Sequence, residues 1–361
     1  MKIGLIGLDQ TGKTTLFNLL TGKDDSAAPP GGKGAANIGT GSVPDGRIDF
    51  LSALYKPKKT TYAKIELIDI AGFSVSGDNR NSGAAKFLND VRPCDALIHV
   101  LRVFNSGSIT HDSGNIDPAR DLGIVETEML LADFEMIDKR IDRIKTGKKI
   151  TKEHEAELEL LTRCFDQLDK GGTLKDMELT SEERTATKSF SFLTEKPRLA
   201  VVNLDENQWE AKDYPNKEAL NTLCKKLSIP LIELCVEMEL EISRLDEEDK
   251  KIFMDDLGID QPGISVLARA VYEHMNLISF MTIGGDEVRA WTIDKGIDVR
   301  TAAGKIHTDF YRGFIRAEVV KYENLFEHGS MTKLKEKGLF RLEGKEYIVI
   351  DGDIINIRFN V

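Results

Sequence analysis

The feature that most constrains this chain is a glycine-bounded loop directly after its first apolar segment. Residues 7–14 read GLDQTGKT and fit G-x-x-x-x-G-K-[ST]; they follow a strand-like start at residues 1–6 and precede a helical pattern. Such a loop holds a polyphosphate with adjacent backbone N–H groups, because the glycines let the chain curl and the lysine adds positive charge. The sequence therefore predicts a nucleoside triphosphate site, with the Thr14 hydroxyl on a magnesium ion. The residues expected to bind nucleotide here are Gln10, Thr11, Gly12, Lys13, Thr14 and Thr15.

Composition limits the class of protein. The chain has 361 residues, 41% of them apolar, and no long apolar run, so we expect a soluble protein of two or three domains that does not span a membrane. Because a loop-bearing strand starts the chain, an export signal has no room and the expected location is the cytoplasm. The 4 scattered cysteines are typical of reduced thiols, and the 6 dispersed histidines lack ligand spacing. Magnesium is the only metal implied.

The charge is unevenly distributed along the chain. The net charge of −11 argues against a protein that coats nucleic acid by charge alone. Residues 278–361 nevertheless carry 13 Lys and Arg against 13 Asp and Glu, so the whole negative excess lies before residue 278. The C-terminal part is therefore electrostatically distinct.

Apolar runs of strand length alternate with helical patterns, which indicates a parallel α/β sheet. The runs are Lys64–Ile70, Ala96–Leu101, Leu199–Val202 and Leu231–Leu234. Ligands of such sheets bind beyond the carboxyl ends of the strands. Polar motifs stand at those ends: residues 7–14, 69–72, 203–206 and the stretch from Cys235. We expect them to converge on one site.

A helical hairpin is predicted between the strands at Ala96 and Leu199. One apolar stripe runs through Leu130, Phe134, Ile137, Ile141 and Ile144, and a second through Leu158, Leu161, Phe165 and Leu168. Stripes of this spacing, joined by a turn at residues 146–149, read as two antiparallel helices. The charged face of this hairpin is compatible with a purely structural arm and with a functional one.

From residue 278 the pattern becomes short and strand-rich, with one helix expected at about Ala302–Phe310. The expected strands are Ile278–Ile283, Val288–Ile293, Phe314–Tyr322, Tyr347–Ile350 and Ile354–Phe359. A small mixed sheet crossed by a helix is a ubiquitin-like grasp fold. The predicted domains are a nucleotide-binding domain at 1–126 and 195–277, the hairpin at 127–194 and the grasp domain at 278–361.

The segment Asp69-Ile70-Ala71-Gly72 fits the D-x-x-G motif of switch-type NTPases. Asp69 is expected to reach magnesium through water, and the Gly72 N–H to meet the γ-phosphate. Phe73 stands where a glutamine would orient the attacking water, so another group must do so. The candidates are His111, whose ordinary pKa is close to neutrality, and backbone groups of residues 74–82.

Base choice is read from Asn203-Leu204-Asp205-Glu206, which takes the place of the guanine motif N-K-x-D. Glutamate at the fourth position displaces the carboxylate by one methylene, and Leu204 replaces the lysine that would pack on the base. These changes weaken the guanine contact. We therefore expect ATP to be preferred, with GTP left open.

These motifs in this order resemble the YchF, or Obg-like, ATPases over nearly the whole chain. The most specific matches are C-terminal: residues 287–293 (EVRAWTI), 302–310 (AAGKIHTDF), 312–319 (RGFIRAEV) and 351–361. The resemblance implies a cytoplasmic, magnesium-dependent ATPase with a C-terminal TGS domain that associates with ribosomes, in part through that domain. It implies that His111 assists hydrolysis and that Cys235 and Val236 lie at the base.

The chain departs from the family pattern at several positions. Asp9 and Gln10 replace Pro and Asn in the loop, and Lys33 replaces a magnesium-binding threonine, for which Thr40 or Ser42 could substitute. The loop after Gly72 carries fewer glycines than usual, which changes its mobility. A sensing module with little hydrolysis and a true GTPase therefore remain as alternatives to an ATPase. Lysines and an arginine at 333–345 form a modest basic stretch that fits ribosomal RNA or a solvated loop. The sequence leaves the oligomeric state open.

Overall fold

The chain divides into two compact units. The computed structural model describes residues 1–22, 37–72, 80–106, 114–147 and 150–360. Unit 1 comprises residues 1–39 and 66–260, and unit 2 comprises residues 40–65 and 261–361.

The strands and helices follow in chain order. The strands are β1 (Lys2–Ile6), β2 (Asn37–Val43), β3 (Lys59–Thr61), β4 (Ala63–Asp69), β5 (Ala96–Arg102), β6 (Arg198–Asn203), β7 (Leu231–Leu234), β8 (Leu277–Ile283), β9 (Glu287–Asp294), β10 (Phe314–Lys321), β11 (Arg341–Glu343) and β12 (Asp353–Phe359). The helices are α1 (Lys13–Thr21), α2 (Gly46–Tyr55), α3 (Arg80–Val91), α4 (Pro118–Lys145), α5 (Lys152–Asp169), α6 (Ser181–Lys188), α7 (Glu206–Ala211), α8 (Lys217–Lys226), α9 (Val236–Arg244), α10 (Glu247–Asp256), α11 (Gly263–His274), α12 (Val299–Ile306), α13 (Thr308–Arg312), α14 (Tyr322–His328) and α15 (Met331–Glu336).

The first sheet has the order β2-β4-β1-β5-β6-β7. Strands β4, β1, β5, β6 and β7 run parallel, so their carboxyl ends meet at one edge. The central strand β5 is buried along its whole length, as expected for a parallel strand covered on both faces. This order brings the ends of β1, β4 and β6 to the same edge, and the predicted parallel sheet is confirmed.

Helices α4 and α5 form the predicted antiparallel hairpin. Asp117 caps α4 by accepting from the Arg120 amide, and Pro118 occupies its first turn, where a missing N–H costs little. The rings of Phe134 and Phe165 lie 4.2 Å apart between centroids, and Ile137, Ile141 and Ile144 are buried against α5. The apolar stripes therefore pack on each other rather than facing solvent.

The sheet of unit 2 has the order β11-β10-β12-β8-β9-β3. Strand β12 pairs antiparallel with β10 and parallel with β8, which gives the mixed sheet predicted for the C-terminal part. Helix α12 covers a core that includes Phe280, Val299 and Val319. Strand β3, which the sequence analysis did not identify, pairs with β9 and extends this sheet.

Two local predictions in unit 2 are wrong. Residues 347–350 form no strand; one bridge joins Ile348 to Asp298, and the Ile350 amide donates to the Asp353 carboxylate at 2.9 Å. The helix predicted at 302–310 is two helices, because His307 is extended and its ring accepts from the Asp309 amide to cap α13.

The two units group the chain differently from the predicted domain bounds. Residues 40–65 were assigned to the nucleotide-binding domain, but they belong to unit 2. They include β3, which pairs with β9 of that unit. The hairpin belongs to unit 1. The bounds of the three predicted domains remain a prediction. No described helix is long and apolar enough to cross a membrane.

Candidate nucleotide-binding site

The loop between β1 and α1 has the backbone that a phosphate site needs. Gly7 and Gly12 have φ of +144° and +92°, in the range that favours glycine, and Gln10 adopts +60°. A Cβ at Gly7 would lie 2.4 Å from the Val100 carbonyl oxygen, and one at Gly12 would lie 2.3 Å from Asn203 Nδ2. Within the described residues no side chain caps α1, so its first-turn amides are available to an anion.

Lys13 lies across this loop and is only 6% exposed. Its Nζ donates to the Leu8 and Gly7 carbonyl oxygens at 2.5 and 3.2 Å. Burial lowers the pKa of Lys13 to about 8, while the negative charges of Asp9 and Asp69 act in the opposite direction. The ammonium is therefore held at the loop by carbonyl oxygens, and a phosphate would offer it a stronger, charged acceptor.

The two predicted magnesium ligands lie next to each other. The Thr14 hydroxyl donates to Asp69 Oδ2 at 2.9 Å, and Asn37 Nδ2 lies 3.4 Å from the same oxygen. A hydroxyl and a carboxylate are oxygen ligands of the kind that Mg²⁺ prefers. Among the described residues no three His, Cys, Asp or Glu side chains form a metal cluster. The two side chains fit a magnesium ion, and Thr14 and Asp69 are the residues that would hold it.

Gly72 lies against the phosphate loop. A Cβ at Gly72 would lie 2.6 Å from Asp9 Oδ1 and 2.8 Å from both the Asp9 amide nitrogen and the Leu8 carbonyl carbon. Only glycine therefore allows the D-x-x-G segment to come this close to the loop. His111, Lys33 and residues 73–79 lie outside the described residues.

Asn203 braces the site through both ends of its carboxamide. Its Nδ2 donates to the Thr11 carbonyl oxygen at 3.1 Å, and its Oδ1 accepts from the Val236 amide at 3.2 Å. One side chain at the end of β6 thus ties the phosphate loop to the start of α9. The sequence analysis predicted Asn203 and Val236 as nucleotide contacts, and the structure joins them to each other. Cys235, the N-cap of α9, is buried.

The rest of the predicted base motif separates into buried and exposed residues. Leu204 is 3% exposed and packs in a core cluster with Tyr214, so little of its side chain can reach a base. Asp205 caps α7 through the Gln208 amide and accepts from the Asn105 amide. Glu206 is exposed in the first turn of α7. Glu206 is thus the carboxylate of this motif that is free to meet a ligand.

The sequence analysis missed a buried histidine near the loop. His99 is 1% exposed on β5, and neither ring nitrogen has a hydrogen-bond partner among the described residues. Burial, assisted by the positive charges of Lys13 and Arg198, lowers the pKa of His99 to about 3. The ring is therefore neutral. A histidine within a strand-like apolar run does not by itself show that it is buried in the neutral form.

Known proteins resemble this chain over its full length. Residues 2–129 match the family MMR_HSR1, described as 50S ribosome-binding GTPase, and residues 277–360 match YchF-GTPase_C, described as a protein of unknown function. The Ribosome-binding ATPase YchF of Escherichia coli O157:H7 is 39% identical over 363 residues, covering 100% of this chain and 99% of the relative. That of Bacillus subtilis (strain 168) is 40% identical over 362 residues, covering 99% of each. The solved structure of the Schizosaccharomyces pombe YchF GTPase superimposes with a TM-score of 0.87 at 28% identity, covering 99% of this chain and 97% of that one.

The parallel sheet, the phosphate loop and the Thr14–Asp69 pair define a P-loop nucleotide-binding domain of the GTPase type. The predicted fold class, with a hairpin inserted in this domain and a separate C-terminal domain, is confirmed. At 39% identity over its full length, the chain belongs to the YchF family.

Proposed function

We propose that this chain is a magnesium-dependent ATPase of the cytoplasm. The observation that carries the proposal is the direct contact between Thr14 and Asp69 beside the phosphate loop, where no described side chain caps α1. The name ATPase printed for the relatives supports hydrolysis of ATP.

The residues of the site divide the work of binding and reaction. The loop amides and the Lys13 ammonium hold the phosphates, and the Gly72 N–H donates to the γ-phosphate. Thr14 and Asp69 would hold Mg²⁺, which when bound neutralises charge on the phosphate oxygens. His111 orients the attacking water, as the family resemblance implies.

Loss of the Lys13 charge tests the site. Calorimetric titration with Mg-ATP is expected to show no binding for Lys13→Ala. Lys139→Ala, which removes an exposed lysine of the hairpin that pairs with Glu135, is the matched control and should bind as the wild type does. Equal affinity of Lys13→Ala and wild type would reject the assignment of the site.

Adenine preference follows from Glu206. With Asp205 engaged in capping and Leu204 buried, the base meets the longer carboxylate, which loosens the guanine contact. Competition between ATP and GTP should favour ATP in the wild type, and Glu206→Asp should move the ratio toward GTP. Glu210→Asp, on the same short helix and also exposed, should leave the ratio unchanged. A wild type that favours GTP would instead support the alternative of a true GTPase.

Hydrolysis itself distinguishes an enzyme from a nucleotide-sensing module. Single-turnover ATP hydrolysis should slow by roughly 10² to 10⁴ in His111→Ala if this side chain handles the proton or the water. His328→Ala, in unit 2, is the control. A wild type that binds ATP but leaves it intact would favour the sensing module.

We also propose that the chain associates with ribosomes, as the names of its relatives suggest, and that a surface of unit 2 takes part, as the family resemblance implies. In the basic stretch at 333–345, Arg341 is engaged with Tyr347 and Glu343, and Lys335 lies over the Phe340 ring. That stretch is therefore partly occupied by contacts within the unit.

A second surface of unit 2 has cations that are free. The side chains of Lys305, Arg312 and Arg316 form no ion pair or hydrogen bond with another described residue. Tyr311, which precedes Arg312, is 43% exposed and carries the Arg300 guanidinium over its ring. Phe359 is 42% exposed and packs on Phe310 of α13. Free cations next to exposed aromatic rings suit RNA, since cations contact phosphates and rings stack on bases.

Co-sedimentation with ribosomes at low and high salt compares the two surfaces. The double variant Arg312→Gln/Arg316→Gln should bind more weakly at low salt, whereas Lys333→Gln/Lys335→Gln, with the same charge change, should lose less. A greater loss in the lysine variant would assign the contact to the 333–345 stretch.

A further inference from the structure

Asp9 places a carboxylate at the edge of the phosphate site. It is the third residue of the glycine-bounded loop and is exposed. Its Oδ1 lies beside Gly72, whose Cβ, if present, would be 2.6 Å away. Among the described residues no group donates a hydrogen bond to the Asp9 carboxylate. A carboxylate that accepts no hydrogen bond from the described residues therefore lies next to Gly72, whose amide would meet a γ-phosphate.

The local charges make this position consequential. The negative charges of Asp9 and Asp69 both interact electrostatically with the Lys13 ammonium. Asp69 is engaged by Thr14 and Asn37, on the side of the magnesium ligands. Asp9 has no such role, so its charge acts on whatever occupies the space between Lys13 and Gly72.

We infer that Asp9 is a specificity-determining residue that weakens the binding of triphosphate relative to diphosphate. The inference rests on the proposed nucleotide site. A γ-phosphate between the Lys13 ammonium and the Gly72 amide adds negative charge beside the Asp9 carboxylate, and a diphosphate does not. Repulsion between like charges a few ångströms apart is substantial at a partly buried site and weaker where solvent and salt screen it. The chain thus favours its product form more than it would with a neutral residue at this position.

The test is a pair of affinities measured by calorimetry. Asp9→Asn keeps the shape of the side chain and removes its charge. It should raise the affinity for a non-hydrolysable ATP analogue with Mg²⁺ by roughly 10-fold and leave the affinity for Mg-ADP nearly unchanged. The gain should shrink as salt is added. Asp138→Asn, which removes an exposed carboxylate of α4, makes the same change in net charge and should alter neither affinity.

Each other outcome is decisive. If Asp9→Asn strengthens both nucleotides alike, or weakens the triphosphate, Asp9 does not discriminate by repulsion and the inference is overturned. If the wild type binds neither nucleotide, the proposed function fails instead. A wild type that binds both, with the ratio unchanged in Asp9→Asn, rejects the inference and leaves the proposed function intact.

Discussion

Replacement of Asn203 by alanine should destabilise unit 1 and open the phosphate loop. Asn203 is 6% exposed, and its carboxamide joins the Thr11 carbonyl oxygen to the Val236 amide. Each bond contributes about 0.5 to 1.5 kcal/mol net, and each buried group left without a partner costs about 1 to 3 kcal/mol. Thr11 and Val236 are both buried, at 2% and 0% exposure. Since water can satisfy part of the loss once the side chain is gone, we expect unfolding to become easier by about 2 to 4 kcal/mol.

The two tryptophans allow this to be measured in one unit. Trp209 lies in unit 1 and packs on the cluster around Leu204, whereas Trp291 lies in unit 2. In a Trp291→Phe background, urea denaturation followed by fluorescence reports unit 1. Asn89→Ala, an exposed position of α3, is the control and should change the unfolding free energy by less than about 0.5 kcal/mol.

A second substitution separates the two bonds of Asn203. Asn203→Asp keeps an acceptor for the Val236 amide but sets a carboxylate oxygen against the Thr11 carbonyl oxygen and adds negative charge beside the loop. It should lower Mg-ATP affinity at least as much as Asn203→Ala does. If Asn203→Ala unfolds at the same urea concentration as its parent, the carboxamide is not a brace and the reasoning is wrong.

Three further predictions concern the same site. Gly72→Ala sets a Cβ 2.8 Å from the Asp9 amide nitrogen, so this segment should be pushed off the loop; calorimetry should show a larger loss for the ATP analogue than for ADP. Because burial lowers the pKa of Lys13 to about 8 and a phosphate favours its charged form, ADP binding at pH 8.5 should take up about three-quarters of a proton and at pH 6.5 none, measured in buffers of different ionisation enthalpy. Burial lowers the pKa of His99 from its ordinary value of 6.5 to about 3, so between these two pH values the folded chain binds fewer protons than the unfolded chain and its stability falls as the pH drops. Relative to His99→Leu, urea denaturation should show a loss of roughly 2 kcal/mol between pH 7 and pH 5.

Local patterns predicted the parts of the fold that depend on periodicity. The parallel strands and both hairpin helices follow from apolar spacing, because burial on a sheet or against a partner helix requires that spacing. Strand β3 could not be found this way, since its three residues, Lys59-Thr60-Thr61, are polar and gain their order by pairing with β9. The strand predicted at residues 347–350 is absent for the opposite reason: the run is apolar, but Asp353 accepts from the Ile350 amide and the Tyr347 hydroxyl, so these groups are bonded outside a sheet.

The candidate site was predictable where strand order decides it. The contact of Thr14 with Asp69 follows from two neighbouring parallel strands whose carboxyl ends meet. The roles of the base motif were not predictable, because they depend on packing. Leu204 was expected near the base, yet it lies in the core, and the Asn203 carboxamide is used by the protein itself.

Positions 9 and 12 of the loop show why its sequence can vary in one place and not in another. The space where a side chain at Gly12 would point is filled by the Asn203 amide, so these two residues form one packing unit although they are far apart in the chain. At position 9 the side chain is exposed, and the constraint falls on Gly72, which must lack a Cβ to lie beside it. A change at position 12 therefore alters the fold of the loop. A change at position 9 leaves that fold intact and alters the charge that a bound phosphate meets, so nucleotide preference can change there without loss of stability.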